Sequence, residues 1–485
     1  MAILLCDYDD ALIGRLIGDG GAMTKRARSL LVLLIAAGMA ITAGLILGGR
    51  RTAAAGEQSK TLSTGLAPTP PMGWNSYDSY GGDVDEQQVR ATARYMAEHL
   101  AQYGWKYIVI DYYWYYPTGS VKGVPAMDQY GRLLPATNRF PSAAGGQGFK
   151  PLADYIHSLG LKFGIHIMRG IPRAAVEENL PILGTDAHAR DIANVLNTCA
   201  WSRAMYGVDV SKPAGRAYYD SLAKLYAEWG VDFIKADDMS RAEDPYGEVY
   251  HAPEIEALRA AMDHSGRPMV LSLSPGPTPL SQAANVERYS QMWRISSDMW
   301  DNWPELRDQF GYCRLWAPYI GPNHWPDADM LPFGLLRLRG FRDGPRLTRL
   351  THDEQITMMT LWSIFRSPLM MGGDLLTLDP FTLSLLTNQE VLAVDQHSSD
   401  NHLLFTRGNQ IAWVANVPRT REKYVALFNL GKSSEEITVS WSELGMAGKA
   451  AVRDLWEKEN LGAFNNQFLA KIDPHGAGLY RIKPL

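Results

Sequence analysis

Phe233-Ile234-Lys235-Ala236-Asp237-Asp238 and, further along, Trp293-Arg294-Ile295-Ser296-Ser297-Asp298 are the two stretches on which the reading of this chain turns. In each, an apolar run of strand length ends in ionisable side chains, as when a parallel α/β barrel delivers polar groups to a pocket at its C-terminal face. Successive strand side chains point to opposite faces, so Phe233, Lys235 and Asp237 share one face and Ile234 and Ala236 the other. The charged face must look into the barrel mouth, because turning it into the apolar helix layer would bury it uncompensated. The same alternation directs Asp238 elsewhere, groups Tyr107, Val109 and Asp111, and joins Arg294 to Asp298 if that strand stays extended. Three strand ends then present Asp111, Lys235 with Asp237, and Arg294 with Asp298 to one cavity.

Outward from these strings, Met72–Tyr77, Tyr107–Asp111, Phe163–Met168, Met269–Ser274 and Gln291–Arg294 read as further strands. Helices lie between them. Asp85-Glu86-Gln87-Gln88 resembles a capping box ahead of the apolar face Val89, Ala93, Met96 and Leu100, with Gly104 as terminator. Tyr218, Leu222, Leu225 and Trp229 repeat the pattern before Gly230, and Thr351-His352-Asp353-Glu354 opens a helix that runs to Phe365 before Pro368. Regular alternation of strand and helix predicts a (β/α)8 TIM barrel over residues 63–398. From residue 399 to 485 the pattern changes to short strands without helices, Ile411–Val414, Tyr424–Phe428, Ile437–Trp441, Ala450–Leu455 and Leu479–Ile482, which predict a C-terminal antiparallel β-sandwich.

The 485 residues carry a net charge of −5 with only 20% charged side chains, which gives no electrostatic reason to bind nucleic acid or an anionic surface. Small neutral substrates fit better, and the 14 Trp and 23 Tyr include rings able to pack on sugar C–H faces, although most serve the core. Residues 1–62 are set apart. Lys25, Arg26 and Arg28 precede the apolar run Leu30–Gly49, followed by Ala53-Ala54-Ala55-Gly56, an export signal. The run exceeds the ~7–15 residues of a signal core and approaches the ~20 of a membrane span, so cleavage and anchoring are both open. A periplasmic or extracellular location follows. Beyond that run only Cys199 and Cys313 remain, and they read as buried free thiols.

Two strand-borne carboxylates in one pocket suit glycosidic bond chemistry, in which one ionised carboxylate attacks and a second acts as acid and then base. Lys235 should hold Asp237 ionised. The bland alternative is a buried ion-pair network that only closes the barrel, and its appeal falls when three strand ends carry such groups. His166 lacks companions at metal-ligand spacing and reads as a core histidine. No Gly-x-Ser-x-Gly elbow and no phosphate loop occur, since Ser272-Leu273-Ser274-Pro275-Gly276 lacks the first glycine. The segment from Gly170 to Pro213 is a candidate cover for the pocket, or a plain surface insertion. No metal and no cofactor are expected.

At these residues the chain resembles glycoside hydrolase family 27, the family of α-galactosidases and α-N-acetylgalactosaminidases. Pro70-Pro71-Met72-Gly73-Trp74-Asn75-Ser76-Tyr77, Lys235-Ala236-Asp237, the Arg294-to-Asp298 motif and His324-Trp325-Pro326-Asp327-Ala328-Asp329-Met330-Leu331 carry the resemblance, with Leu361 to Met370 along the last strand. It implies that Asp237 is the nucleophile and Asp298 the acid/base. It further implies that Tyr77, Asp111, Tyr112, Lys235, Ser274, Arg294 and Asp329 bind substrate. Two departures concern the sugar. The family's α-galactosidases follow the second strand with paired aspartates, the second reading the 4- and 6-hydroxyls, whereas Tyr112 follows Asp111 here. Ser274 stands where galactosidases place a glutamate and N-acetylgalactosaminidases a serine, and Met239 replaces a cysteine of the family's usual disulfide. The expected activity is a retaining exo-α-galactosidase acting on oligosaccharides or glycoconjugates with a terminal α-galactosyl-type sugar. The alternatives are an α-N-acetylgalactosaminidase, a β-L-arabinopyranosidase and, in a different class, a non-catalytic sugar-binding protein anchored by Leu30–Gly49.

Overall fold

A computed structural model describes residues 65–119, 123–241 and 249–485. The expected export or anchor segment Leu30–Gly49 lies outside the described residues. Among them, no helix is long and apolar enough to cross a membrane.

Eight strands form one parallel sheet: β1 Met72–Asn75, β2 Tyr107–Ile110, β3 Lys162–Met168, β4 Phe233–Asp237, β5 Val270–Leu273, β6 Met292–Arg294, β7 Trp325–Asp327 and β8 Leu369–Met371. Their order is β7-β6-β5-β4-β3-β2-β1-β8. The ends meet just past β7, where Leu331 bridges Met371 in parallel, its N–H donating to the Met370 carbonyl at 2.8 Å. The sheet therefore curls into the expected barrel. Strand alternation decides what fills it: Tyr107, Val109, Phe233, Val270, Met292, Trp325 and Met370 pack together inside. Their neighbours Ile108, Ile110, Ile234, Ala236, Leu271, Leu273 and Trp293 face outward, into the larger core shared with the helices. Lys235 and Asp237 share the face of Phe233, so the geometry puts their charges at the mouth.

The helices begin and end where local chemistry directs. Asp85 accepts from the Gln88 N–H and the Gln88 side chain returns the bond, closing the capping box at the start of Glu86–His99. Thr351 and Glu354 do the same for His352–Phe365. Pro213–Trp229 stops at Gly230, whose φ of +84° suits a residue without Cβ. Cys199 and Cys313 are buried free thiols, as expected.

The C-terminal domain pairs a six-stranded antiparallel sheet with a two-stranded one, Glu435–Ser440 against Gln467–Ile472. Alternation along Gln410–Asn416 and Lys423–Asn429 divides the labour. Ala412, Val414, Val425 and Leu427 meet Ile437, Val439, Trp441 and Phe468 inside the sandwich. Trp413, Ala426 and Phe428 point the other way and join the barrel core, Trp413 meeting Phe365 edge-on at 6.1 Å. Both faces of the large sheet are thus buried, one within its own domain and one on the barrel. Truncating the fully buried Trp413 to alanine should cost about 3–5 kcal/mol, measurable as a lowered urea midpoint, with the barrel and the sandwich losing their mutual support.

Candidate active site

At the C-terminal ends of the strands lies a cavity of about 610 Å³, within the ~300–1,000 Å³ usual for small-molecule sites. Tyr77, Asp111, Tyr112, Lys235, Asp237, Ser274, Arg294, Asp298 and Asp329 all line it. The structure therefore brings every residue singled out from the sequence to one place.

Asp237 ends β4 and is held on both carboxylate oxygens. Oδ1 accepts from the Asp238 N–H at 3.0 Å and from the Ser274 hydroxyl at 2.9 Å, and Oδ2 meets His166 Nε2 at 3.1 Å. Burial pushes this carboxyl up, but the His166 hydrogen bond and the charge of Lys235 reverse the effect and leave it below its ordinary value. The next residue turns away. Asp238 has a φ of +61°, and its buried side chain pairs with Arg169 at 2.8 Å. Arg169 also binds Glu254 at 2.7 Å and Asn197 at 2.9 Å, so a buried arginine braces the end of β4 from behind.

Lys235 donates to Asp111 Oδ2 at 2.9 Å, and the Asn75 amide donates to the same oxygen at 2.7 Å. The Tyr112 N–H supplies Asp111 Oδ1 at 2.8 Å. Burial opposes the charge on Asp111, yet Lys235 and these donors hold it well below the carboxylate range, while Asp111 and Asp237 raise Lys235 against the same burial. The pair is fully charged at neutral pH and offers a donor and an acceptor to a hydroxylated ligand.

The extended path expected between Arg294 and Asp298 is not observed. β6 ends at Arg294, whose carbonyl accepts from the Thr278 N–H at 3.1 Å and the Thr278 hydroxyl at 2.8 Å, and the chain then turns through a bend. Asp298 reaches the cavity by that bend, 70% exposed, 3.2 Å from Arg294. Arg294, itself buried, also binds Asp329 at 2.6 Å. Asp329 adopts a φ of +88° and takes the Met299 N–H at 2.7 Å, tying the loop after β7 to the loop that carries Asp298. Burial, with Asp298 and Asp327 adding repulsion, pushes Asp329 up despite Arg294. Asp301, also buried, takes both guanidinium nitrogens of Arg346 and the Arg349 N–H at 2.7 Å, fixing the same loop from its far end.

Several residues in or behind the cavity wall escape the sequence reading. His166, expected as a core histidine, is fully buried but contacts the nucleophile candidate. Applying strand alternation to β3 finds it, since Gly164 packs toward Val109 and Phe233 inside the barrel and His166 lies two residues on. Asp78 lies in the wall beside Tyr77, pushed well above its ordinary value by burial and by Asp329. Ala200 and Trp201 come from the Gly170–Pro213 segment, so that segment does form part of the wall. Trp201 is 43% exposed, its ring 5.7 Å from Tyr112. Ser274 lies at the wall as expected, but its hydroxyl is engaged by Asp237.

A barrel whose mouth gathers a held carboxylate, a second exposed one, and charged hydroxyl-binding groups defines the class: an O-glycoside hydrolase. The comparisons agree. A family model described as alpha galactosidase A matches residues 69–177 and 204–397, and one described as the alpha galactosidase C-terminal beta sandwich domain matches 407–482. The chain belongs to glycoside hydrolase family 27. An alpha-galactosidase of Coffea arabica is 31% identical over 430 residues, 87% of this chain and 96% of that protein. The crystal structure of a family 27 β-L-arabinopyranosidase from Geobacillus stearothermophilus is 50% identical with a TM-score of 0.84, covering 86% of this chain and 97% of its own. Alpha-galactosidase I from Mortierella vinacea, at 25% identity, has a TM-score of 0.67 over 87% and 98%.

Because Asp237 titrates below its ordinary value, the acid limb of kcat/KM should lie below pH ~4. In Lys235→Met the ionised form loses a favourable charge, so the limb of the residual activity should move upward. Fitting pH–rate profiles of both proteins checks this.

Proposed function

We propose that the chain is a retaining exo-glycosidase that releases terminal α-linked galactose-type sugars by double displacement. The observation that carries the reading is the pairing, in one cavity, of a half-buried carboxylate kept ionised with an exposed carboxylate held beside an arginine. In the first step Asp298 protonates the leaving oxygen as Asp237 attacks the anomeric carbon. Water deprotonated by Asp298 then attacks the same carbon and frees Asp237. Lys235 and Asp111 bind ring hydroxyls, and Tyr77 offers its face to the sugar. Arg294 and Asp329 hold the acid/base loop at the edge of the site.

A second reading has specific support. Tyr112 stands where a galactosidase of this family carries the aspartate that reads the 6-hydroxyl, and burial keeps its phenol protonated. Its ring lies between Tyr113, Trp201 and the edge of His166, so this wall is aromatic. Such a wall suits β-L-arabinopyranose, which has the ring configuration of α-galactose without the hydroxymethyl arm, and the Geobacillus relative is a β-L-arabinopyranosidase. The proposal also includes export, with or without anchoring, supported by the basic residues ahead of Leu30–Gly49.

Asp237→Asn should abolish turnover with an unchanged melting temperature, and near-wild-type activity would end the assignment. Asp298→Ala should lose most on poor leaving groups and least on dinitrophenyl glycosides. Initial rates on nitrophenyl α-galactoside, its 2-acetamido analogue and nitrophenyl β-L-arabinopyranoside rank the sugars. Tyr112→Asp should raise the galactoside to arabinopyranoside ratio of kcat/KM about tenfold; an unmoved ratio would remove the second reading.

A further inference from the structure

The two oxygens of Asp237 are held unequally. Oδ1 carries two donors, the Asp238 N–H at 3.0 Å and the Ser274 hydroxyl at 2.9 Å. Oδ2 carries one, His166 Nε2 at 3.1 Å. The other ring nitrogen of His166, Nδ1, is buried and has no hydrogen-bond partner. A proton on Nδ1 would be stranded there, and a bare Nε2 would turn its lone pair on the carboxylate. The neutral tautomer with hydrogen on Nε2 avoids both. The ring cannot drift from this post: it is fully buried, its edge meets Tyr112 at 5.3 Å, and its backbone sits beside Lys235 in the β3–β4 register.

We propose that Asp237 attacks through Oδ2 and that His166 Nε2–H is the donor that releases it again in the second step. The proposal rests on the retaining mechanism above and deepens it. With two hydrogen bonds already drawn to Oδ1, Oδ2 is the more available nucleophile, and after attack Oδ1 becomes the ester carbonyl still cradled by its two donors. In the first step the C1–Oδ2 bond forms, the C1–O bond to the leaving group breaks, and the Asp298 proton passes to the departing oxygen. In the second, water adds to C1, its proton returns to Asp298, and the C1–Oδ2 bond breaks with its electron pair remaining on Oδ2. The charge reappears on the atom that faces His166. A hydrogen bond to a carboxylate oxygen is stronger than one to an ester oxygen, so the His166 contact favours release of the sugar more than its capture. Mere structural support would act on both steps alike.

The test uses a dinitrophenyl glycoside of whichever sugar the wild-type enzyme hydrolyses, since with so good a leaving group kcat reports release and kcat/KM reports capture. His166→Leu should lower kcat about 10- to 100-fold with kcat/KM within about threefold, so that KM falls too. A burst of dinitrophenolate equal to the enzyme should precede the steady state. His166→Gln, whose amide reaches toward the Nε2 position, should recover most of kcat, and His166→Asn, with its amide near the Nδ1 position, should not. Loss of kcat and kcat/KM in equal measure without a burst, in protein that melts as the wild type does, would overturn the proposal, as would an unchanged kcat. If the leucine variant does not fold, the glutamine and asparagine pair alone decides. Labelling of wild-type Asp237 by a 2-deoxy-2-fluoroglycosyl fluoride separates the two levels: no label defeats the retaining reading itself, whereas a label with no burst in the variant defeats only the role of His166.

Discussion

A half-buried lysine and a buried aspartate, Lys235 and Asp111, 2.9 Å apart, set the terms for the whole pocket. Neither charge is tolerable alone inside a barrel, and their attraction repays burial only with further hydrogen bonds. Asn75 and the Tyr112 backbone provide these from the ends of β1 and β2. The pair therefore requires β1, β2 and β4 in fixed relation, with β3 between the last two. It also places a permanent positive charge two residues before Asp237 and on the same strand face. The interaction that organises the strand ends is thus one of those that keep Asp237 ionised.

The other cations divide the remaining work. Arg169, behind β4, pairs with Asp238 and Glu254 and so anchors both that strand and the helix Ala252–His264 that follows it. Arg294 faces the cavity and gathers Asp298 and Asp329 from two loops. Asp237 and Asp238, adjacent in sequence, belong to different networks because the strand ends at Asp237 and the chain turns at Asp238, whose φ is +61°. One is freed for chemistry and the other serves as a brace.

Much of this is legible before any coordinates. Alternation along Phe233–Asp237 and Tyr107–Asp111 predicts the inward faces, and the interior cluster of Tyr107, Val109 and Phe233 follows them. The capping residues at Asp85 and Thr351 mark helix starts because their chemistry is local, complete within four residues. Arg294 to Asp298 does not continue as an extended run: the Arg294 carbonyl is taken by the N–H and hydroxyl of Thr278, a residue of the loop after β5. No local pattern announces such a partner. His166 was within reach of the alternation argument, but its chemistry depends on facing Asp237 across two neighbouring strands.

The sequence by itself determines the alternation of strands and helices, the change to a β-sandwich after residue 398, the strand faces that carry charge, and the family to which the motifs belong. All of these depend on periodicity or on short strings, which survive in one dimension. Tertiary structure alone decides that Ser274 and His166 hold different oxygens of one carboxylate, that Tyr112 and Trp201 make an aromatic wall, and that Asp301 is clamped by Arg346. Those contacts join residues far apart in the chain, and only the closing of the barrel brings them within hydrogen-bond range.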